Sequence, residues 1–178
     1  MLPEVIDGAR IRLTKIKREE AEEIFYAYAS KEKATRFVSW KTHERMDDSR
    51  AFTRWSVAAW ENNGAFTYVV RLKPYFRLIG SLGLLNLKGS LQLGYIFSPS
   101  CWGQGLALES TLAIIPYIID NHNFTSLWSF VDKEHLPSQK VLLKSGFMAN
   151  PSVPMWHRFV NQGDALKPCL RFEFPLHR

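Results

Sequence analysis

The clearest alternation of apolar and polar positions runs over residues 91–97. Leu91, Leu93, Tyr95 and Phe97 recur at period two and predict a strand. Ser98-Pro99-Ser100 ends it, because Pro99 has no N–H to give to a ladder. Gly103 and Gly105 then permit a tight turn, and from Leu106 the residues are helix formers. The first N–H groups of a helix lack partners within it and lie at the positive end of its dipole. A glycine-bearing loop feeding such an end can cradle a phosphate or diphosphate. Two glycines before a helix also serve many ordinary turns, so the rest of the chain has to support this reading.

Upstream, residues 10–16 alternate and predict a first strand with one polar face. Residues 19–30 carry Ala21, Ile24, Phe25 and Tyr28 at helical spacing, and residues 31–40 predict a second, shorter helical piece. A third helix starts near Asp47 or Asp48 as cap, carries Phe52, Trp55 and Ala59 on one stripe, and stops at Asn62-Asn63-Gly64. Residues 65–72 and 78–87 predict two strands that form an antiparallel meander with residues 91–97. The helix opening at Leu106 should run to about Asp120, with Pro116 kinking or breaking it. A strand over 125–131, a helix over 138–144 behind Pro137, and strands over 155–160 and 169–174 complete the order. The strand–helix–strand from 91 to 131 is a crossover, so its strands should run parallel. The chain is therefore α/β, a mixed, mostly antiparallel twisted sheet flanked by helices.

Composition narrows the class. At 178 residues the chain suits one domain with a real core, and 46% apolar against 22% charged residues excludes a disordered chain. A net charge of +6 favours anionic ligands in general. Cys101 and Cys169 give neither a metal-ligand spacing nor a disulfide framework, so reduced thiols and no metal are expected. The start of the chain lacks a basic-then-apolar leader pattern, and the longest apolar run, 112–119, is too short to span a bilayer. A soluble, cytoplasmic protein without membrane attachment is the expectation.

Three stretches carry more. Trp102-Gly103-Gln104-Gly105-Leu106-Ala107 is similar to the Arg/Gln-x-x-Gly-x-Gly/Ala acetyl-CoA loop. Ser138 through Lys144-Ser145-Gly146-Phe147 is similar to Asn-x-x-Ser…Lys-x-Gly-Phe. Arg10-Ile11-Arg12-Leu13 opens the domain ahead of an acid-rich helix. With the element order, these resemble the Gcn5-related N-acetyltransferases (GNAT), in the RimJ/RimL-like branch of ribosomal-protein N-terminal acetyltransferases. The resemblance covers residues 10–174 of a single domain, 1–178. The chain departs from the pattern at Trp102, which replaces Arg or Gln, and at His135, which replaces Asn. Leu142 stands where other members place a tyrosine acid.

The resemblance implies a sheet whose parallel pair splays apart, with acetyl-CoA as co-substrate. Its pantetheine arm would pair with the main chain of Tyr95, Ile96 and Phe97, with an oxyanion donor near Ile96 or Phe97. The diphosphate would sit on the N–H groups of Gly103, Gln104, Gly105 and Ala107, in the loop that also holds Trp102 and Leu106. Ser138 is the candidate donor to the departing sulfur; it reads equally as a helix-start residue bonding its own backbone. Asp132, Glu134 and His135 cluster where the amine should enter, and His135 is the candidate base. Glu109 reads as a complement to the helix dipole or as structural. Phe37, Trp55 and Trp60 read as core, with Trp40 as the exception facing substrate. The implied activity is transfer of acetyl to a primary amine, a protein N-terminus or a small amine, by direct attack on the thioester. The competing class is an acyl-CoA sensor or a basic RNA-contacting module without turnover. Nucleic acid enters the first reading only through a ribosomal substrate, and monomer and homodimer stay open.

Overall fold

The computed structural model describes residues 2–176, built on a nine-stranded sheet. Its strands are β1 (Val5–Asp7), β2 (Ile11–Lys15), β3 (Ala65–Leu72), β4 (Arg77–Leu87), β5 (Ser90–Phe97), β6 (Ser126–Asp132), β7 (Met148–Ala149), β8 (Met155–Phe159) and β9 (Ala165–Phe174). Across the sheet they run β1-β2-β3-β4-β5-β6-β9-β7, and β8 also pairs with β9. The β5–β6 pair is parallel and the other described pairs are antiparallel. The helices are α1 (Ala21–Ile24, continued by a π-helical turn Phe25–Ala29), α2 (Glu32–Thr35), α3 (Met46–Glu61), α4 (Leu106–Ile119) and α5 (Leu136–Lys144). Among the described residues no helix is long and apolar enough to cross a membrane.

Each face of the sheet has its own core. The larger joins Ile11, Leu13, Leu93 and Phe97 to Leu106, Ile114 and Ile118 of α4 and Leu142 of α5. The smaller joins Ile16, Val69 and Leu78 to Ile24, Tyr28 and Ala29, with Trp40, Phe52 and Ile96 packed against it. Burying one such Leu or Ile stabilises the fold by roughly 1.5–3 kcal/mol, so β5, which feeds both cores, is fixed from both sides.

Several local expectations change. α4 runs unbroken through Pro116; the carbonyl that loses its partner belongs to Leu112, which faces solvent. α3 buries Ser49, Thr53, Ser56, Ala59 and Trp60, while Trp55 is 54% exposed, so the apolar stripe is rotated from the one expected. Asp48 caps α3 by reaching back, its Oδ2 accepting the N–H groups of Glu44 and Arg45 at 2.9 Å each. Residues 31–40 hold only one helical turn, and β1 and β7 are too short for a periodic signal. β9 begins at Ala165 rather than 169 and includes Pro168, whose carbonyl accepts the Lys133 N–H.

The segment after α2 is tied to the far end of the chain. The Asn161 side-chain amide donates to the carbonyls of Thr35 at 2.7 Å and Trp40 at 2.8 Å. Its oxygen accepts the Thr42 N–H at 3.0 Å and the Thr42 hydroxyl at 3.2 Å. Gln162 adds a bond to the Arg36 carbonyl at 3.1 Å. Residues 35–42 are thereby strapped to the β8–β9 connection. Asn161→Ala leaves these strap groups without their partner and should cost about 2 kcal/mol of unfolding free energy. Urea unfolding measures it, as a lower midpoint at unchanged slope.

Candidate active site

The β5–β6 ladder is three residues long: Ser90 with Ser126, Leu91 with Leu127, and Gln92 with Trp128. Beyond it the strands part, two residues before the expected point. The Ser129 hydroxyl still donates to the Leu93 carbonyl at 2.8 Å, and the gap opens after that bond. Along its other edge β5 pairs with β4 through Phe97, opposite Gly80. The Ser98 N–H donates to the Ile79 carbonyl at 2.7 Å. Antiparallel ladders alternate, so Ile96 turns its main-chain groups into β4, and Tyr95 and Phe97 turn theirs into the gap. Of the three β5 residues expected to meet the arm, Ile96 therefore offers no free amide. Tyr95 and Phe97 face the opening, and the Phe97 carbonyl accepts the Trp102 indole N–H at 3.0 Å.

Past β5 a 3₁₀ turn (Pro99–Cys101) leads into the glycine loop. Gly103 has φ +73° and Gly105 φ +75°, the left-handed region that suits a residue without Cβ. Gly105 caps α4, and its carbonyl accepts the Glu109 N–H at 3.0 Å. Among the described residues, the N–H groups of residues 103–108 donate to no protein acceptor. Gly103, Gln104 and Gly105 are exposed, so these donors face solvent at the positive end of a 14-residue helix.

Arg10 braces the loop. Its Nη1 donates to the Gln104 carbonyl at 2.9 Å, and its Nε to Glu109 Oε2 at 2.7 Å. The Arg10 N–H reaches Glu109 Oε1 at 2.6 Å. Burial pushes the Glu109 carboxyl up, but the Arg10 contacts outweigh it, and its pKa lies below the ordinary value. Glu109 is thus structural in a specific way: it holds a guanidinium, half-exposed, beside the amide cradle. Arg10 was legible as part of a motif, but its tie to a residue 99 positions away was not.

Between the strands and α5, the Tyr95 phenol and the Ser138 hydroxyl lie 2.9 Å apart. Ser138 is buried and bonds Tyr95 rather than its own backbone. Burial pushes the Tyr95 phenol up to about 12, so it keeps its proton at neutral pH. The tyrosine hydroxyl was missed in sequence; the signal was a tyrosine at a core-facing position, whose polar tip needs a partner. Leu142 is fully buried in the main core.

His135 precedes α5 and stacks on Phe37, centroids 4.1 Å apart and planes at 9°. Burial pushes its pKa down to about 4, against a smaller upward pull from Asp132. The ring is neutral at pH 7, as expected, yet it is a weak proton acceptor. Asp132 is 1% exposed and engaged: Lys167 Nζ lies at 2.8 Å, and the Glu134 N–H donates at 2.9 Å. Burial pushes its carboxyl up, but Lys167 and these bonds outweigh that and hold it below the usual range. Glu134 is exposed and shares Lys167. Trp40 is half-buried against the smaller core, its ring 5.0 Å from His43.

The domain described by these elements has known counterparts. YkkB, an uncharacterized protein of Bacillus subtilis (strain 168), is 20% identical over 114 residues, 62% of this chain and 66% of YkkB, just under two thirds of its length. The structure of Mycobacterium smegmatis RimJ in complex with CoA-disulfide superposes with a TM-score of 0.84 at 15% identity, covering 97% of this chain and 87% of that one. Ribosomal-protein-S5-alanine acetyltransferase from Vibrio fischeri gives 0.81 at 16% identity, covering 95% and 94%. At these identities the likeness is one of fold. The profile of the acetyltransferase (GNAT) domain matches residues 10–148, most of the chain, and with it the split strands, the glycine loop and the cap of α4 find one explanation: this protein belongs to the GNAT acetyltransferase family.

Proposed function

We propose that the protein is an acetyl-CoA-dependent N-acetyltransferase whose acceptor is a primary amine, either a protein N-terminal α-amine or a small amine. The observation that carries the reading is the run of unpartnered N–H groups at residues 103–108, beside a β5 edge left open after Leu93. RimJ, which shares the fold, is described in complex with CoA-disulfide. A diphosphate suits the loop because its charge meets free amides, a helix dipole and Arg10 together. An extended pantetheine arm suits the gap because its amides can complete the bonding of Tyr95 and Phe97, as an added strand would.

The residues then divide the chemistry. The free amides of Tyr95 and Phe97 are the donors available to the oxyanion formed when the amine nitrogen attacks the thioester carbon. As the C–S bond breaks, the electron pair goes to sulfur, and Ser138, hydrogen-bonded to Tyr95, supplies a proton to the leaving thiolate. The attacking amine must be neutral and gives up one proton after attack. His135 takes that proton poorly, so water at the exposed edge or a different side chain receives it. Weak basicity at His135 and the apolar Leu142 also favour a second reading, an acyl-CoA sensor that binds without turnover.

Acetyl-CoA should raise the melting temperature, and free thiol should appear when peptides or small amines are supplied. Binding without thiol release across the amine panel would select the sensor. Gly105→Asp places a carboxylate against the bound phosphate and should abolish the thermal shift; wild-type affinity in this variant would refute the cradle. Arg10→Ala should weaken acetyl-CoA binding about tenfold by calorimetry, a loss of about 1.4 kcal/mol. Ser138→Ala and Tyr95→Phe should each lower kcat about tenfold at unchanged acetyl-CoA affinity. A kcat/KM profile should show no titration from His135 above pH 5, since its proton is already gone there.

A further inference from the structure

Gly83 on β4 and Gly94 on β5 are directly paired across the sheet. Neither has positive φ among the described backbone, and a Cβ built on either meets nothing within 4 Å. Gly80, on the same strand as Gly83, is different: its Cβ would lie 2.4 Å from the Ile96 carbonyl, so packing demands glycine there. Neither conformation nor packing asks for glycine at 83 or 94, and glycine weakens a strand interior. What two paired glycines create is a bare patch of main chain beneath open space.

The patch lies where an acceptor has to arrive. Gly94 is the second residue of β5 past the last β5–β6 rung, Gln92 with Trp128. At period two it faces the same side as Gln92 and Ile96, opposite to Tyr95, and Ile96 packs on the smaller core with Trp40. Trp128 and Phe130 of β6 face that side too, and Phe130 stacks toward His157 of β8, centroids 5.1 Å apart. The floor is therefore main chain, with aromatic rings beyond the gap and the strap held by Asn161 at one end.

We infer that Gly83 and Gly94 form the floor of an acceptor slot that takes an extended peptide N-terminus lying flat on the sheet, a reading that rests on the proposed N-acetyltransferase activity. Glycine lets another backbone approach closely, which a side chain at either position would prevent. The charge of the slot favours a peptide over a polyamine. A polyamine needs free carboxylates along its length, whereas Asp132 on this face is held by Lys167 at 2.8 Å and Glu173 by Arg171 at 2.7 Å.

The test compares wild type with Gly94→Ala, Gly94→Val and Gly83→Ala, using tetrapeptides with free N-termini and spermidine as acceptors. Melting temperature should be unchanged or raised in the alanine variants, and acetyl-CoA Kd should stay within about twofold. KM for the peptides should rise with side-chain size, reaching about tenfold or more in Gly94→Val. The alanine variants keep the slot testable if the valine does not fold. A folded Gly94→Val or Gly83→Ala with wild-type peptide KM overturns the slot, and so does a higher kcat/KM for spermidine than for any peptide. A wild type that binds acetyl-CoA and acetylates neither class removes the transferase reading itself, and the slot with it; that failure is seen before any variant is compared.

Discussion

A parallel ladder that stops after three residues is the constraint on which the site depends. Buried or half-buried main-chain groups need partners, and a strand that leaves its neighbour surrenders them. β5 meets this demand in two places with its own side chains: Ser129 bonds the Leu93 carbonyl, and Trp102 bonds the Phe97 carbonyl. What is left over is the binding potential of the open edge. The apolar cores on both faces keep β5 in place while one of its edges goes unpaired, because Leu93 and Phe97 anchor one side and Ile96 the other.

The parts of the site come from distant stretches of chain. Arg10 reaches Gln104 and Glu109, Tyr95 reaches Ser138, and Asn161 reaches Thr35 and Trp40. None of these bonds can form in an isolated segment, so the geometry exists only once the whole sheet has assembled. The arrangement also separates two tasks. The loop and α4 handle an anion on one face, while the N-terminal helices and the strap shape the other, with the split between them.

The sequence made the framework readable because its signals are local. Period two over residues 91–97, the glycines at 103 and 105, and the helix after them need no tertiary context. The parallel pair followed from the crossover, and the family from three short motifs. Side-chain partnerships were not readable. Nothing near Tyr95 in sequence announces Ser138, and nothing near Asp132 announces Lys167, since both pairs depend on register between distant strands and helices. His135 misled for a similar reason: a histidine beside two acids suggests a base, but stacking on Phe37 desolvates it, and burial outweighs the acids. Pro116 misled in the opposite sense, because an exposed turn can give up one helix bond at small cost. The free edge of Tyr95 and Phe97, and the engaged amide of Ile96, required the hydrogen-bond phase of the ladder, which period-two patterning does not encode.

The Trp102 indole has a position with optical meaning. It is 45% exposed, donates its N–H to a carbonyl at the mouth of the split, and has the Lys33 ammonium 5.5 Å from its ring centre. Any strand-like guest that claims the Phe97 carbonyl competes with the indole for the same lone pairs. Occupancy of the cleft is thereby coupled to the surroundings of a single fluorophore, giving the domain an intrinsic gauge of when its gap is filled.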